Sequence, residues 1–148
     1  MFGRYQLSHH LLKETFAHFR QCGQGMRECQ VLWLSPWSAP DTITKAVHSE
    51  HDAKYCGIDV DHQWLHQFWQ VLAREKCGVR VQVHTHPHDA FHSETDDAFP
   101  FIHTAGFLSL VIPDFAQGPM GFDRAFLAEL QKDGQWQEVP ISERLLLI

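Results

Sequence analysis

The stretch VRVQVHTHPHDAFHSETDD, residues 79 to 97, changes character halfway along. Val79, Val81 and Val83 repeat with the period of two that sends successive side chains to opposite faces of a β-strand. If the valines face a core, His84 and His86 share the other face, about 6.6 Å apart along the strand. Pro87 cannot donate to a ladder, so it ends the strand where a site can open to solvent. Two imidazoles so spaced can converge on one ion at about 2.0–2.1 Å, and a catalytic zinc takes about three protein ligands plus a water. SETD, 93 to 96, then reads as a helix start with Ser93 as N-cap. Its first turn can present Asp96 back towards the histidines; Asp97 is the rival, one residue of register away.

The alternative is a polar loop in a histidine-rich chain. With twelve histidines in 148 residues, a His-x-His pair is weak evidence for a metal by itself. His88, His92 and His103 read as loop residues.

Outward from this stretch, the hydrophobic periodicity predicts further elements. A helix is expected over 5–21, with Leu7, Leu11, Leu12, Phe16 and Phe19 as its core-facing stripe and Gly23 and Gly25 beyond its end. ECQVLWLS, 28–35, reads as a buried strand with Glu28 as its one charged residue. SPWSAPD, 35–41, is a turn carrying Trp37, and TITKAVHS, 42–49, a further strand. DHQWLHQFWQVLAREKCG, 61–78, is an amphipathic helix with Asp61 as N-cap and Gly78 just past its end. FLSLVIPDF, 107–115, is another buried strand. GFDRAFLAEL and GQWQEVPIS are expected as strand or mixed structure, and ERLLLI as a segment closing the sheet edge, with a partner contact as the alternative. The fold class expected is α+β: residues 1–148 as one domain, with a mixed, mostly antiparallel sheet flanked by two main helices.

Composition narrows the function classes. Hydrophobic residues make up 44% and charged residues 20%, as in ordinary globular proteins. A net charge of −6 argues against a nucleic-acid binder. MFGRYQLSHHLLKE lacks the apolar run of a signal peptide, and no segment reaches the length of a membrane span. A cytoplasmic protein with reduced thiols is expected. None of Cys22, Cys29, Cys56 and Cys77 forms a CxxC pair, which argues against a cysteine zinc knuckle.

HTHP at 84–87 followed by SETD at 93–96 resembles the metal motif of the JAMM (JAB1/MPN/Mov34, MPN+) metalloprotease family. That motif is His-x-His-Pro, a short gap, then Ser-x-x-Asp, with a glutamate on an earlier strand. ECQVLWL at 28–34 resembles the glutamate strand, which begins Glu-Cys in the family. The gap HDAFH is five residues, slightly shorter than usual, and Gln30 stands where glycine is usual. The order of elements over roughly residues 5–130 also matches.

The resemblance implies an MPN-type domain with one Zn2+ per chain held by His84, His86 and Asp96. Glu28 would be the general base and Ser93 the donor to the oxyanion; their plainer readings are a strand-end carboxylate and a helix cap. It further implies a stand-alone prokaryotic-type enzyme that hydrolyses the bond after the C-terminus of a ubiquitin-like protein, as deconjugation or precursor processing. Activating and conjugating enzymes of the same system would be its companions, and Trp37 a candidate contact for the modifier. Two other readings are open: processing of a sulfur-carrier protein or hydrolysis of a small amide conjugate, and a metal-free MPN scaffold. The second zinc of some eukaryotic relatives is not expected, because no cysteine follows Cys77.

Overall fold

The computed structural model describes residues 2–54, 57–93, 96 and 100–148, and the side chains of all of these but 52–54 and 57. Strands run Tyr5–Leu7 (β1), Gln30–Pro36 (β2), Lys45–His48 (β3), His51–Lys54 (β4), Gly57–Val60 (β5), Cys77–Thr85 (β6), Leu108–Ile112 (β7), Phe126–Leu130 (β8), Trp136–Glu138 (β9) and Leu145–Leu147 (β10). Helices are His9–Gly23 (α1), His62–Glu75 (α2) and the short Ile141–Arg144 (α3). The main sheet has the order β3-β2-β6-β7-β8-β9; β6 and β7 pair parallel and the other neighbours antiparallel. This is the α+β, mostly antiparallel architecture that the patterning predicts.

Alternation along β2 explains the layers. Val31 and Trp33 join Leu12, Phe16 and Phe19 of α1 in one core. Leu32 and Leu34 face the other way and pack with Phe68 and Leu72 of α2. The sheet is thus covered on both faces, and β2 reads as a continuous apolar run for that reason.

Four sequence expectations are corrected. The first helix does not begin at residue 5. Ser8 caps it by accepting from the Leu11 N–H at 3.1 Å, and Tyr5–Leu7 pair in parallel with Leu145–Leu147. The C-terminal segment therefore closes onto β1 in a separate two-stranded sheet, not onto the edge of the main one. Lys76, not Gly78, ends α2: it takes the left-handed conformation at φ 56°, while Gly78 lies inside β6. Finally, Val79 does not share a face with Val81 and Val83. The register of β6 against β2 shifts between Trp33 and Leu34, leaving Arg80 as the extra residue of a bulge. Val79 accordingly joins the α2-side core, and Val81 and Val83 the α1-side core.

The N-terminal end of α2 behaves as its sequence suggests. Asp61 accepts from the Trp64 N–H at 2.8 Å as its N-cap. Trp37 sits at the far end of β2, where Pro36 pairs with Cys77, and it is exposed. No helix among the described residues is long and apolar enough to cross a membrane.

One buried polar contact ties α1 to the sheet. The Trp33 indole N–H donates to Thr15 Oγ1 at 2.9 Å, and the Thr15 hydroxyl donates on to the Leu11 carbonyl at 2.9 Å. Thr15→Val keeps the shape but orphans the indole N–H, and should cost about 1–3 kcal/mol of stability in denaturant titrations. A change below about 0.5 kcal/mol would mean that the hydrogen bond contributes no net stability.

Candidate metal centre

The site sits where the end of β6 meets the start of β2. His84 is paired with Gln30, and His86 follows one residue after β6 ends. Both imidazoles are 4% exposed. The segment entering β2 is locked to this strand end by two hydrogen bonds. The Cys29 N–H donates to Thr85 Oγ1 at 2.9 Å, and the Thr85 N–H donates to the Cys29 carbonyl at 3.1 Å. Glu28, the next residue back, is thereby held beside the two histidines. Its Oε1 lies 4.0 Å from His86 Nε2.

The far side of His86 is fixed by a turn after β7. The His86 N–H donates to the Ile112 carbonyl at 2.9 Å, the Phe115 N–H to the His86 carbonyl at 2.8 Å, and the Asp114 N–H to the His88 carbonyl at 2.9 Å. Asp114, Phe115 and Ala116 all have positive φ, between 52° and 60°. A left-handed turn of non-glycine residues costs roughly 1–2 kcal/mol per residue. Strain of this kind persists only where its surroundings over-determine it, and here the turn grips the backbone of His86 and His88.

Asp96 completes the cluster. Its Oδ2 lies 3.2 Å from His84 Nε2 and 3.2 Å from His86 Nε2. Ser93 and Asp96 bond reciprocally: the Ser93 N–H donates to Asp96 Oδ2 at 3.0 Å, and the Asp96 N–H donates to Ser93 Oγ at 3.1 Å. This capping box aims the carboxylate and uses Ser93 Oγ only as an acceptor, leaving its proton available. The shortened gap HDAFH is therefore long enough to return Asp96 to the histidines. Asp97, the alternative ligand, lies outside the described residues.

The donor set fits a divalent ion. Two ligands at about 2.0–2.1 Å in tetrahedral array stand about 3.3 Å apart, close to both observed separations. Among the described residues His84 Nε2 is buried and has no hydrogen-bond partner; its approach to Asp96 lacks hydrogen-bond geometry, which leaves this nitrogen open to a metal. Glu28 stands farther off, its Oε1 4.0 Å from His86 Nε2.

The electrostatics separate the two carboxylates. Burial would push the Asp96 carboxyl up, but the His84 and His86 imidazoles beside it, the charge of His84 and the Ser93 N–H together hold it well below the usual carboxylate range. Burial pushes the Glu28 carboxyl above its ordinary value; His86 and His84 oppose that shift and Asp96 adds to it. One group is fit to ligate and the other to handle a proton.

Sequence reasoning missed two residues. Thr85, the variable position of His-Thr-His-Pro, is 1% exposed and supplies the clamp on Cys29. His92, expected as a loop residue, packs its ring 4.7 Å from Trp136 and contacts Ser109 Oγ at 3.0 Å. Ser109 also accepts from the Gln82 amide at 3.0 Å, so the loop before Asp96 is fastened to β6 and β7. Neither role has a sequence signal, because both depend on pairing across strands. His88 and His103 line the cleft described next. Trp37 lies at the opposite end of β2 from Glu28, a seven-residue strand and so roughly 20 Å away, which removes it from this site.

A cleft of about 1060 Å³ opens over the cluster. Glu28, His84, His86, Ser93 and Asp96 form its polar end, and Phe91, Phe101, Leu65 and the β5 residues Ile58 and Val60 its apolar walls. Phe91 stands edge-on to His86 at 4.7 Å and is exposed.

No protein-family model matches the chain. Among curated proteins, it is 32% identical over 129 residues to probable metalloprotease y4jG of Sinorhizobium fredii, covering 84% of this chain and 80% of that one. Among solved structures, it resembles the solution structure of protein DSY2949 from Desulfitobacterium hafniense, with a TM-score of 0.70 at 17% identity over 97% and 92% of the two chains. A Salinibacter ruber protein aligns with a TM-score of 0.58 at 16% identity, over 92% and 89%. AF2198, a JAB1/MPN domain protein from Archaeoglobus fulgidus, aligns with a TM-score of 0.53 at 12% identity, over 97% and 98%.

Removing any one ligand should empty this cluster. His84→Ala, His86→Ala and Asp96→Ala are each expected to hold about one metal equivalent less per chain than the unsubstituted protein, by elemental analysis. Asp97→Ala should retain its metal; loss from Asp97→Ala with retention in Asp96→Ala would move the ligand by one residue.

Proposed function

Since the chain belongs to the metalloprotease family of its 32%-identical relative y4jG and shares the fold of a JAB1/MPN domain protein, we propose that it is a JAMM-type, zinc-dependent peptidase or isopeptidase acting after the C-terminal tail of a ubiquitin-like protein. The observation that carries the hydrolytic reading is the convergence of His84 and His86 on one oxygen of Asp96, with a buried Glu28 alongside, at the end of an open cleft.

A zinc ion held by His84, His86 and Asp96 would supply Lewis acidity, lowering the pKa of a water to about 7 and polarising a scissile carbonyl. The chain's own groups account for the proton and charge transfers. Glu28, buried and with its proton affinity raised, takes the proton of the attacking water and delivers it to the leaving amine. Ser93, whose Oγ already accepts from the Asp96 N–H, directs its hydroxyl proton to the oxygen that becomes negative as the carbonyl turns tetrahedral. It is not a nucleophile and needs no triad.

The cleft's form supports an extended substrate. Among the described residues β5 pairs only with β4 and lies along the cleft wall, so a peptide tail can add to its other edge by main-chain hydrogen bonds. An apolar-walled cleft of this size exceeds what a small amide conjugate needs. Selectivity then comes from a folded body docked beside the tail, in keeping with activating and conjugating enzymes as companions of the same system.

Glu28→Gln should keep its metal and lower turnover by a factor of about 10² or more. Ser93→Ala should lower turnover by about 10²–10³. Near-normal turnover of either variant would reassign that residue to a structural role. For the substrate, a folded ubiquitin-like fusion should be cut after its small C-terminal residues, with loss of activity in chelator. A free peptide with the same scissile bond should be cut far more slowly, because it lacks the remote binding surface. Equal rates on fusion and peptide would refute docking, and cleavage of small amide conjugates or sulfur-carrier precursors alone would favour those substrates instead. A protein that binds no metal would be a scaffold.

A further inference from the structure

A second group of metal-ligating side chains lies on the opposite side of the sheet start from the cleft. Cys22 comes from the last turn of α1, Cys29 from the residue before β2, His48 from the end of β3 and His51 from the start of β4. Two sulfurs and two imidazole nitrogens from these four places lie within 4.8 Å of one another. Cys22 Sγ is 3.4 Å from His51 Nε2, and Cys29 Sγ is 3.3 Å from His48 Nε2. We propose that Cys22, Cys29, His48 and His51 form a structural Cys2His2 zinc site, separate from the catalytic cleft.

The geometry suits zinc. With zinc–sulfur bonds of about 2.3 Å and zinc–nitrogen bonds of about 2.0–2.1 Å, a tetrahedral sulfur–nitrogen edge is about 3.5 Å. Both measured separations are close to it. Four protein ligands leave no open position, the mark of a structural site, and paired thiolates favour a soft ion over magnesium or calcium.

The surroundings prepare His51 to ligate. The Ser49 hydroxyl donates to Gln30 Oε1 at 3.3 Å, and Ser49 Oγ lies 2.9 Å from His51 Nδ1. Having given its one proton to Gln30, Ser49 accepts from Nδ1–H. That tautomer leaves Nε2 unprotonated and directed at the cysteine sulfur, as outer-shell partners of metal-bound histidines do. His48 is braced by the His18 ring, with centroids 5.6 Å apart.

The chain folds to assemble this set. Gln24 and Gly25 both take positive φ after α1, and the Met26 and Arg27 N–H groups donate back to the Gly23 carbonyl. This returns the chain so that Cys29 lies beside Cys22. Both thiols are free rather than joined as a disulfide. An ion here would pin the end of α1, the start of β2 and the β3–β4 corner, and would fix the backbone of the residue next to Glu28. The spacing Cys-x6-Cys with His-x2-His explains why a search for CxxC passes over it.

The test uses protein purified under reducing conditions and equilibrated with zinc, then with cobalt. Zinc should measure about two equivalents per chain in the unsubstituted protein, about one in Cys22→Ser or His51→Ala, about one in His84→Ala, and about none in Cys22→Ser/His84→Ala. Cobalt-loaded unsubstituted protein and His84→Ala should both show a thiolate-to-cobalt charge-transfer band, which Cys22→Ser should lose. If Cys22→Ser is insoluble, the band in His84→Ala decides. Failure of hydrolysis leaves this readout intact, so the two sites are tested separately. One zinc per chain that Cys22→Ser leaves unchanged would overturn the proposal. So would absence of the thiolate band, or a Cys22–Cys29 disulfide detected by mass spectrometry in the reduced preparation.

Discussion

The two hydrogen bonds between Cys29 and Thr85 are the constraint on which the rest of the site depends. They join the residue after Glu28 to the residue between His84 and His86. Because side chains alternate along a strand, a slip of one residue between these segments would turn Glu28 away from the histidines. Thr85 does this with a buried hydroxyl on the α1 side of the sheet, leaving the other side clear for chemistry. A threonine hydroxyl thus sets the relation between Glu28 and the two histidines.

Burying four ionisable groups together is costly unless each is paired. The structure meets that cost unevenly, and the unevenness is what makes the cluster useful. Asp96 receives the Ser93 N–H and both imidazoles, so its charge is well compensated. Glu28 has the His86 ring at 4.0 Å and little else, so burial dominates and its proton affinity rises. Among the described residues His84 Nε2 is left without a hydrogen-bond partner. A buried lone pair, a compensated carboxylate and an under-compensated one are the states that a metal ligand, a second ligand and a proton carrier require.

The backbone around the cluster is held more rigidly than loop composition suggests. The left-handed turn at Asp114–Ala116 grips the backbone of His86 and His88, while Ser109 and Trp136 hold His92. The loop between the histidines and Asp96 is thereby pinned at both ends. On the other side of β2, the Cys22–Cys29–His48–His51 group does the same for the segment carrying Glu28. The apolar walls of the cleft come from α2, β5 and the loop residues Phe91 and Phe101.

Much of this was determined locally. Alternation along VRVQVHTH places His84 and His86 on one face because the period of a strand is two. Ser93 and Asp96 are three apart, which is the reach of a capping box, and the apolar run VLWL requires a sheet covered on both sides. Spacing therefore suggested His84, His86 and Asp96 as a cluster and patterning an α+β fold, while the roles of Glu28 and Ser93 came from the resemblance to the JAMM motif. What the sequence did not determine involves residues distant in the chain. The bulge at Arg80 that turns Val79 to the other core arises only from the pairing of β6 with β2. Tyr5–Leu7 become a strand because Leu145–Leu147 lie beside them, and tertiary pairing overrides the local helical pattern. The same holds for the clamp of Thr85, the tether of His92 and the meeting of two cysteines with two histidines. Each exists only once strands far apart in sequence are paired, so spacing along the chain carries no trace of it.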